Sequence, residues 1–459
     1  MQSIILAAGK GTRMNSDLPK VLHPVLGKPM INHVLDHLVL ADVKRHVVVV
    51  GHGAEQVKES IVLQDGVEFV LQEEQLGTGH AVMMAKELLK DAKGETIVIC
   101  GDTPLISPQT IKSLYEHHRT TNAAATILTA NISQPTGYGR IVRDDAGHVL
   151  KIVEERDASD EERSIKEINT GTYCFDHQLL FEALELITND NDQGEYYLTD
   201  VIEVLRDKGY IVAGYKTADE EETLGINDRV SLAKANTLMK ERINKQWMRF
   251  GVTIIDPNTT YISPDTVIGK DTVIYPGTML LGRNVIGSRC EIGPNTELMN
   301  VVLKDEVNVK HSVISDSMIG KETVIGPFAH LRNHVQIGER VRIGNFVEMK
   351  KTTFGDDSKA SHLTYLGDSH VGKRVNIGCG AITVNYNGVQ KFETTIDDDA
   401  FIGCNTNLIA PVHVGKKSVV AAGSTITDDV PDESLAIARE KQTNKIGYYS
   451  KNNKDKKIQ

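Results

Sequence analysis

A chain of 459 residues with 40% hydrophobic and 25% charged content carries enough core for two or three soluble domains. Its formal net charge of −11 excludes nonspecific nucleic-acid binding, which needs basic faces, so an anionic ligand must meet a local cluster of Lys and Arg. Five cysteines (Cys100, Cys174, Cys290, Cys379 and Cys404) without CxxC pairing or metal-like spacing fit free thiols in a reducing compartment; with no basic leader and no long apolar stretch, a cytoplasmic protein without membrane insertion is expected.

Through about residue 227 short apolar runs alternate with amphipathic segments. A strand is predicted over 4–7, a helix near Met30–Leu40, a strand over 47–50, a helix over 55–61 and a strand over 97–100. That alternation predicts a Rossmann-like α/β domain, a mostly parallel sheet covered by helices. From Asn227 the apolar residues move to helical spacing (Leu232, Ala235, Met239, Ile243, Trp247, Phe250), with Asn227-Asp228 as cap chemistry and Gly251 as a stop. One long connecting helix follows.

Beyond it the period becomes six. Ile262, Ile268, Ile274, Leu280, Ile286, Ile292 and Leu298 are followed, after a three-residue slip, by Val301, Val307, Val313, Ile319, Ile325, Leu331, Ile337, Ile343 and Met349. A third run is Ile402, Leu408, Val414, Val420 and Ile426. Three six-residue sides close one triangular coil, with the aliphatic residues stacked inward. Glycine recurs after the aliphatic position (Gly269, Gly287, Gly293, Gly320, Gly326, Gly338, Gly344, Gly403, Gly415), as corners of positive φ require. Residues 385–395 read as a loop thrown out of the coil. The predicted divisions are 1–227, an α/β domain; 228–250, a helical linker; 251–449, a parallel β-helix; and 450–459, a basic disordered tail with Lys451, Lys454, Lys456 and Lys457.

Three phosphate loops compete for Leu6-Ala7-Ala8-Gly9-Lys10-Gly11-Thr12-Arg13-Met14. A dinucleotide fingerprint needs a glycine where Met14 stands, and no acidic residue between Asp17 and Asp36 could take a ribose. A Walker loop needs four residues between its first glycine and Gly-Lys-Ser/Thr. What remains is a Gly-x-Gly-Thr-Arg turn followed by Leu18-Pro19-Lys20, and this order resembles the sugar-1-phosphate nucleotidyltransferases. The chemistry suits it. When a sugar phosphate attacks the α-phosphate of a nucleoside triphosphate, cations and N–H groups must absorb charge on the phosphate oxygens. Arg13 and Lys20 are the cations. Asp102, at the C-terminal end of the strand over 97–100, can hold Mg2+ there.

The resemblance implies further residues. Leu6, Ala7, Ala8 and Gly9 would contact the nucleotide, and Gln72, Gly77 and Thr78 would form a uracil pocket. Asn227 would be a second metal ligand, and Gly139, Glu154 and Asn169 would meet the sugar.

In the β-helix, the stretches around Arg332, Lys350, His362, Tyr365, Asn376, Asn385 and Tyr386 interrupt the inward-aliphatic pattern with groups a structural repeat does not need. This ensemble resembles the C-terminal half of the bifunctional N-acetylglucosamine-1-phosphate uridyltransferase/glucosamine-1-phosphate acetyltransferase family, and with the first half the resemblance spans essentially the whole chain. It implies a left-handed β-helix, a homotrimer formed through it, and two consecutive reactions. Acetyl-CoA would acetylate glucosamine-1-phosphate, and the product would attack UTP with Mg2+ to give UDP-N-acetylglucosamine for the bacterial cell envelope. By the same resemblance Arg332 and Lys350 bind sugar phosphate, Tyr365, Asn376 and Lys391 orient the sugar, and His362 is the general base, which suits a group titrating near neutrality. Asn385 and Tyr386 would contact sugar and acetyl-CoA; Cys379, Cys404, Ala422 and Arg439 would complete the acetyl-CoA site. The family usually has Ala and Ser where this chain has Cys379 and Cys404, which predicts sensitivity to thiol reagents, and often Tyr at Cys100. Two other readings are a single nucleotidyltransferase with a regulatory β-helix, opposed by the residues from His362 to Asn385, and a non-catalytic assembly subunit, opposed by Arg13, Lys20 and Asp102.

Overall fold

The computed structural model describes residues 1–63, 65–191 and 193–449; the basic tail at 450–459 lies outside them. The chain divides into two compact units, Met1–Arg242 and Ile243–Gln459.

The first unit is built on a sheet whose main path runs Val212–Lys216, Ala125–Asn131, Glu167–Asp176, Glu95–Cys100, Gln2–Ala7, Arg45–Val50, Val67–Leu71. Glu167–Asp176 is antiparallel to both neighbours, and the other pairings along this path are parallel. The central strands carry continuous apolar runs, Ile4 to Ala7, Val47 to Val50 and Ile97 to Cys100, because both faces are covered. Ile4, Val47, Val49 and Val98 enter one core, while Ile5, Val48, Val50, Ile97 and Ile99 enter the other. From Gln2–Ala7 the chain builds toward one edge, and after Glu95–Cys100 toward the other. These two neighbouring strands therefore flank a topological switch, and the crevice beyond their C-terminal ends is where such a sheet receives ligands.

The connecting helix is Arg229–Arg249. Asp228, not Asn227, caps it: its Oδ1 accepts from the Ser231 N–H at 2.8 Å, while the Asn227 side chain is engaged elsewhere. Ala235, Met239 and Ile243 are buried, and Gly251, at φ 88°, ends the last turn.

In the second unit each strand pairs in parallel with one a full coil later, so Ile262 stacks on Leu280, Ile268 on Ile286 and Ile274 on Ile292. This is a left-handed parallel β-helix of hexapeptide repeats. Two positions per repeat face inward, a small or short residue and, two later, the long aliphatic: Thr272 with Ile274, Val301 with Leu303, Val307 with Val309. The three-residue slip expected at 298–301 is corrected accordingly. Leu298 stacks on Ile314, Leu303 follows Ile286, and Ile319 follows Leu303, so three sides are each one residue short. Val301 and Val307 occupy the small inward position, whereas Val313 is exposed and Ile314 is buried. Each shortened side, including the two in succession from Val309 to Ile319, is absorbed at a corner, which keeps these long aliphatics inside. Burying each is worth about 1.5–3 kcal/mol, more than the roughly 1–2 kcal/mol of a strained corner.

The corner glycines also need a different reason. Of those expected to have positive φ, only Gly293 and Gly326 do, at 106° and 101°. Elsewhere the left-handed residue is two positions later and is not glycine, as at Asp271, Arg289, Arg340 and Phe346. Glycine is required by the next coil: a Cβ on Gly344 would stand 1.9 Å from the Ser361 carbonyl oxygen. The coil's one large excursion lies between Val384 and Thr394, where Ile377 stacks on Ile402 and the ejected segment closes on itself through a Tyr386–Lys391 bridge.

Candidate functional sites

In the first unit two adjoining cavities open at the switch. One, of about 310 Å3, is lined by Leu6, Ala7, Ala8, Gly9, Lys20, Gln72, Gly77, Thr78 and Asp102. The other, of about 320 Å3, is lined by Arg13, Gly139, Glu154, Asn169 and Asn227, and shares Leu6, Thr78, Cys100 and Asp102 with the first. The residues expected at this site from sequence thus converge from the ends of the strands and from the segment at 225–227.

The turn after Gln2–Ala7 takes its shape from Gly11, at φ 60°, where a Cβ would stand 2.6 Å from Lys20 Cβ. Glycine here lets the chain fold back so that Lys20 lines the first cavity and Arg13 the adjoining one. The Lys20 ammonium pairs with the Asp102 carboxylate and donates to Asn227 Oδ1 at 2.7 Å. Two oxygens far apart in sequence, from Asp102 and Asn227, therefore meet at one cation. Hard oxygen donors converging on a positive charge are the donor set that Mg2+ takes, so these residues fit that ion.

The walls are polar where a base and a sugar would need partners. Gln72 is buried, with its Nε2 3.2 Å from the Gly77 carbonyl and 3.1 Å from His80 Nδ1. Gln75, unassigned by the sequence reading, donates to the Ala8 carbonyl at 2.8 Å and steadies the loop that carries Gly9. Asn169 is held at both ends: its amide donates to Tyr173 OH at 2.7 Å and its Oδ1 accepts from the Gly171 N–H at 3.1 Å. Burial pushes the Glu154 carboxyl above its ordinary range, opposed by the Thr199 hydroxyl. Burial, reinforced by Asp102, pushes the Cys100 thiol up to about 12, so this cysteine lines the floor as a neutral thiol. Thr103, Tyr138 and Thr199 also line the second cavity. Gln75, Thr103 and Tyr138 stand in the motifs that carry Gln72, Asp102 and Gly139, so a local sequence signal accompanies them; Thr199 arrives by packing.

On the β-helix the expected residues fall into separate groups. His362 ends the strand Lys359–His362, in register with Asn345 one coil earlier, and its Nδ1 lies 2.6 Å from Asn345 Oδ1. Gly344 permits this close stacking. Both residues line a cavity of about 480 Å3 with Phe328 and Phe346, whose rings stack at 5.4 Å. Asn345 was not singled out by the sequence, because a lone Asn in a repeat has no distinguishing spacing.

The corner column above His362 carries the expected acetyl-CoA residues. Gly380 N–H donates to the Leu363 carbonyl at 3.0 Å, Asn405 N–H to Cys379 at 2.7 Å and Gly423 N–H to Cys404 at 2.8 Å. His362, Cys379, Cys404 and Ala422 are therefore equivalent positions on successive coils. A Cβ on Gly423 would stand 3.7 Å from Arg439 Cδ, so Arg439 reaches the top of this column.

A different ladder carries the cations. Arg332, Lys350 and Gly367 are in register, as are Glu348 and Tyr365. Arg332 pairs with Glu348 at 2.5 Å, and Asn385, at the root of the ejected loop, donates to Asp368. The Lys350 ammonium lies beside that of Lys391, which holds its pKa below the usual lysine range. Two adjacent ammonium groups repel in the absence of an anion, as in a phosphate site. Tyr386 donates to the Gly388 carbonyl at 2.6 Å and is exposed. Asn376 is in the ladder of Lys359 and Phe401, away from the Arg332–Lys350 ladder.

Among the described residues no helix is long and apolar enough to cross a membrane. The Nucleotidyl transferase family model matches residues 2–249, the GMPPB C-terminal domain residues 251–345, and the hexapeptide repeat of succinyl-transferase residues 393–428. The Bifunctional protein GlmU of Exiguobacterium sibiricum is 60% identical over 446 residues, covering 97% of this chain and 99% of its own. That of Halalkalibacterium halodurans is 57% identical over 451 residues, 98% of this chain and 99% of its own. That of Listeria monocytogenes serotype 4a is 54% identical over 446 residues, 97% of each.

Proposed function

The chain belongs to the GlmU family of bifunctional proteins, and on that premise we propose how its residues divide two reactions between them. It is an enzyme of UDP-N-acetylglucosamine synthesis with two transferase activities. Acetyl transfer from acetyl-CoA to glucosamine-1-phosphate belongs to the β-helix. Uridylyl transfer from UTP to N-acetylglucosamine-1-phosphate, with release of pyrophosphate, belongs to the first unit.

For uridylyl transfer the carrying observation is the convergence of Lys20, Asp102 and Asn227 at a topological switch, with Arg13 beside them. Arg13 and Lys20 take the charge of the triphosphate, the cavity with Gln72 and Thr78 holds uridine, and that with Glu154 and Asn169 holds the sugar. Mg2+, held by Asp102 and Asn227, supplies charge neutralisation on the phosphate oxygens. Glu154 and Asn169 orient the sugar so that its phosphate faces the α-phosphorus.

For acetyl transfer, the hydrogen bond between His362 Nδ1 and Asn345 Oδ1 supports a tautomer with Nε2 free to take the proton of the attacking amine. The coil-by-coil alignment of Cys379, Cys404 and Ala422 supports an extended acetyl-CoA along that corner, its phosphates toward Arg439. Lys350, Lys391 and Arg332 receive the sugar phosphate, with Tyr365, Asn385 and Tyr386 around the sugar; Asn376, on a different side of the coil, reaches a sugar held by a neighbouring copy. The exposed Phe328, Phe346 and Leu363 beside His362 support assembly of the β-helix into a homotrimer in which a neighbouring copy closes the site. The enzyme works in the cytoplasm.

One incubation tests the whole reading: protein with acetyl-CoA, glucosamine-1-phosphate, UTP and Mg2+, following free thiol and pyrophosphate separately. Both products are expected, pyrophosphate lagging behind thiol. Pyrophosphate formed only from pre-acetylated sugar, without thiol release, would overturn the acetyl-transfer assignment.

A further inference from the structure

The segment from Glu222 to Arg242 touches both loops of the uridylyl site at several points. Ile226 N–H donates to the carbonyl of Asp102 itself at 3.1 Å. Arg229 Nε donates to the Met14 carbonyl at 3.2 Å, directly after Arg13. Asn236 Oδ1 accepts from the Leu26 N–H at 2.9 Å. Arg242 reaches the loop that follows Asp102: its Nη1 donates to the Leu105 carbonyl at 2.7 Å. Its guanidinium also lies 3.8 Å from Glu222. Glu222 is buried, and its other oxygen accepts from the Ser107 N–H at 3.2 Å and from the Thr110 hydroxyl.

The loop from Asp102 to Ser107 is thus fixed at its start by Ile226, in its middle by Arg242 and at its end by Glu222. A carboxylate that must meet a small cation with near-ideal geometry loses more from a loosened loop than a packing residue does. An Arg fork that binds a carbonyl and faces a buried carboxylate costs substantial side-chain entropy to order, which a solvated surface cation would not repay.

We propose that Arg242, backed by Glu222, is a positioning residue for uridylyl transfer: it holds the loop of Asp102 in the geometry that binds the divalent cation. The proposal rests on the assignment of Asp102 as a metal ligand.

Arg242→Met, Arg242→Lys and Glu222→Gln are compared with Asp102→Ala in the full chain. The concentration of Mg2+ giving half-maximal pyrophosphate release is measured, together with Mn2+ binding in the presence of UTP by water-proton relaxation. Acetyl transfer on the same chains reports whether the protein remains folded. Arg242→Met should raise the half-saturating Mg2+ and weaken Mn2+ binding about tenfold, with acetyl transfer changed less than about twofold. Arg242→Lys should recover most of that loss, since an ammonium can still reach the Leu105 carbonyl. Glu222→Gln should shift in the same direction by a smaller factor, and it carries the test if Arg242→Met fails to fold. Unchanged cation dependence in Arg242→Met, or a loss of both activities together with no shift in Mn2+ binding, would overturn the proposal. If Asp102→Ala itself leaves the cation dependence unchanged, the metal assignment fails instead.

Discussion

The two candidate sites are made in opposite ways. In the first unit, residues as far apart in sequence as Lys20, Asp102 and Asn227 meet in a crevice, and its walls come from strands that are not neighbours in sequence. On the β-helix, His362, Cys379, Cys404 and Ala422 succeed one another on a single corner, each one coil above the last. A crevice encloses its ligand from several sides, whereas a corner offers one wall. The first site is enclosed by one chain, whereas in the proposed assembly the second is closed by a neighbouring copy seated on the exposed Phe328 and Phe346 beside His362.

Independence of the two sites carries the largest expected effects. Asp102→Ala should lower pyrophosphate release from UTP and N-acetylglucosamine-1-phosphate by about a thousandfold or more and leave thiol release within about twofold. His362→Ala should do the reverse, lowering thiol release by about a hundredfold or more. Loss of both activities in either folded variant would end the division.

Covalent crowding of the open corner sharpens the contrast. Cys404 is exposed and Cys379 partly so, whereas Cys100 is held as a neutral thiol. Alkylation should therefore slow acetyl transfer more than about tenfold while sparing uridylyl transfer, and a Cys379→Ala, Cys404→Ser chain should resist it. Equal inhibition of both reactions, or persistent inhibition in that double variant, would contradict the corner as the acetyl-CoA path.

A smaller effect probes how the imidazole is oriented. Asn345→Ala removes the partner of His362 Nδ1 and should reduce acetyl-transfer kcat about tenfold, equivalent to about 1.4 kcal/mol, with little change in KM for acetyl-CoA. A rise in KM at constant kcat would show Asn345 to be a binding residue.

The smallest effect concerns the wall behind Glu154. Burial, then Glu203 and Asp157, raise the Asp200 carboxyl to about 6. A raised acid binds its proton more tightly in the folded state, so its ionisation opposes folding above pH 6, and the penalty fades as pH falls toward 4. Asp200→Asn should therefore raise the melting temperature of the first unit by about 2–4 °C at pH 8 and lose that advantage near pH 4. The opposite trend would show that the charged carboxylate stabilises the N-terminal turn of Asp200–Asp207.

The two periods, and with them the two architectures, are written in the order of residues. Runs such as Val47 to Val50 demand burial on both faces of a sheet, and an aliphatic every sixth residue demands a triangular coil, because backbone geometry is local and repeats. The same order also sets the chemical types at each site, since Arg13, Lys20, Asp102 and His362 stand out against the pattern around them. Which groups meet depends instead on packing. The pairing of Lys20 with Asp102 and Asn227, the support of Ala8 by Gln75, and the placement of Asn345 against His362 follow from how loops and coils pack across long intervals, which no local period encodes. The three shortened sides between Leu298 and Ile319 were equally invisible, since Val301 and Val307 are inward-facing whichever register is read. The glycines divide along the same line: Gly11 is required by its own φ and by Lys20, but Gly344 is required by Ser361 on the next coil, an approach that exists only once the coils are stacked.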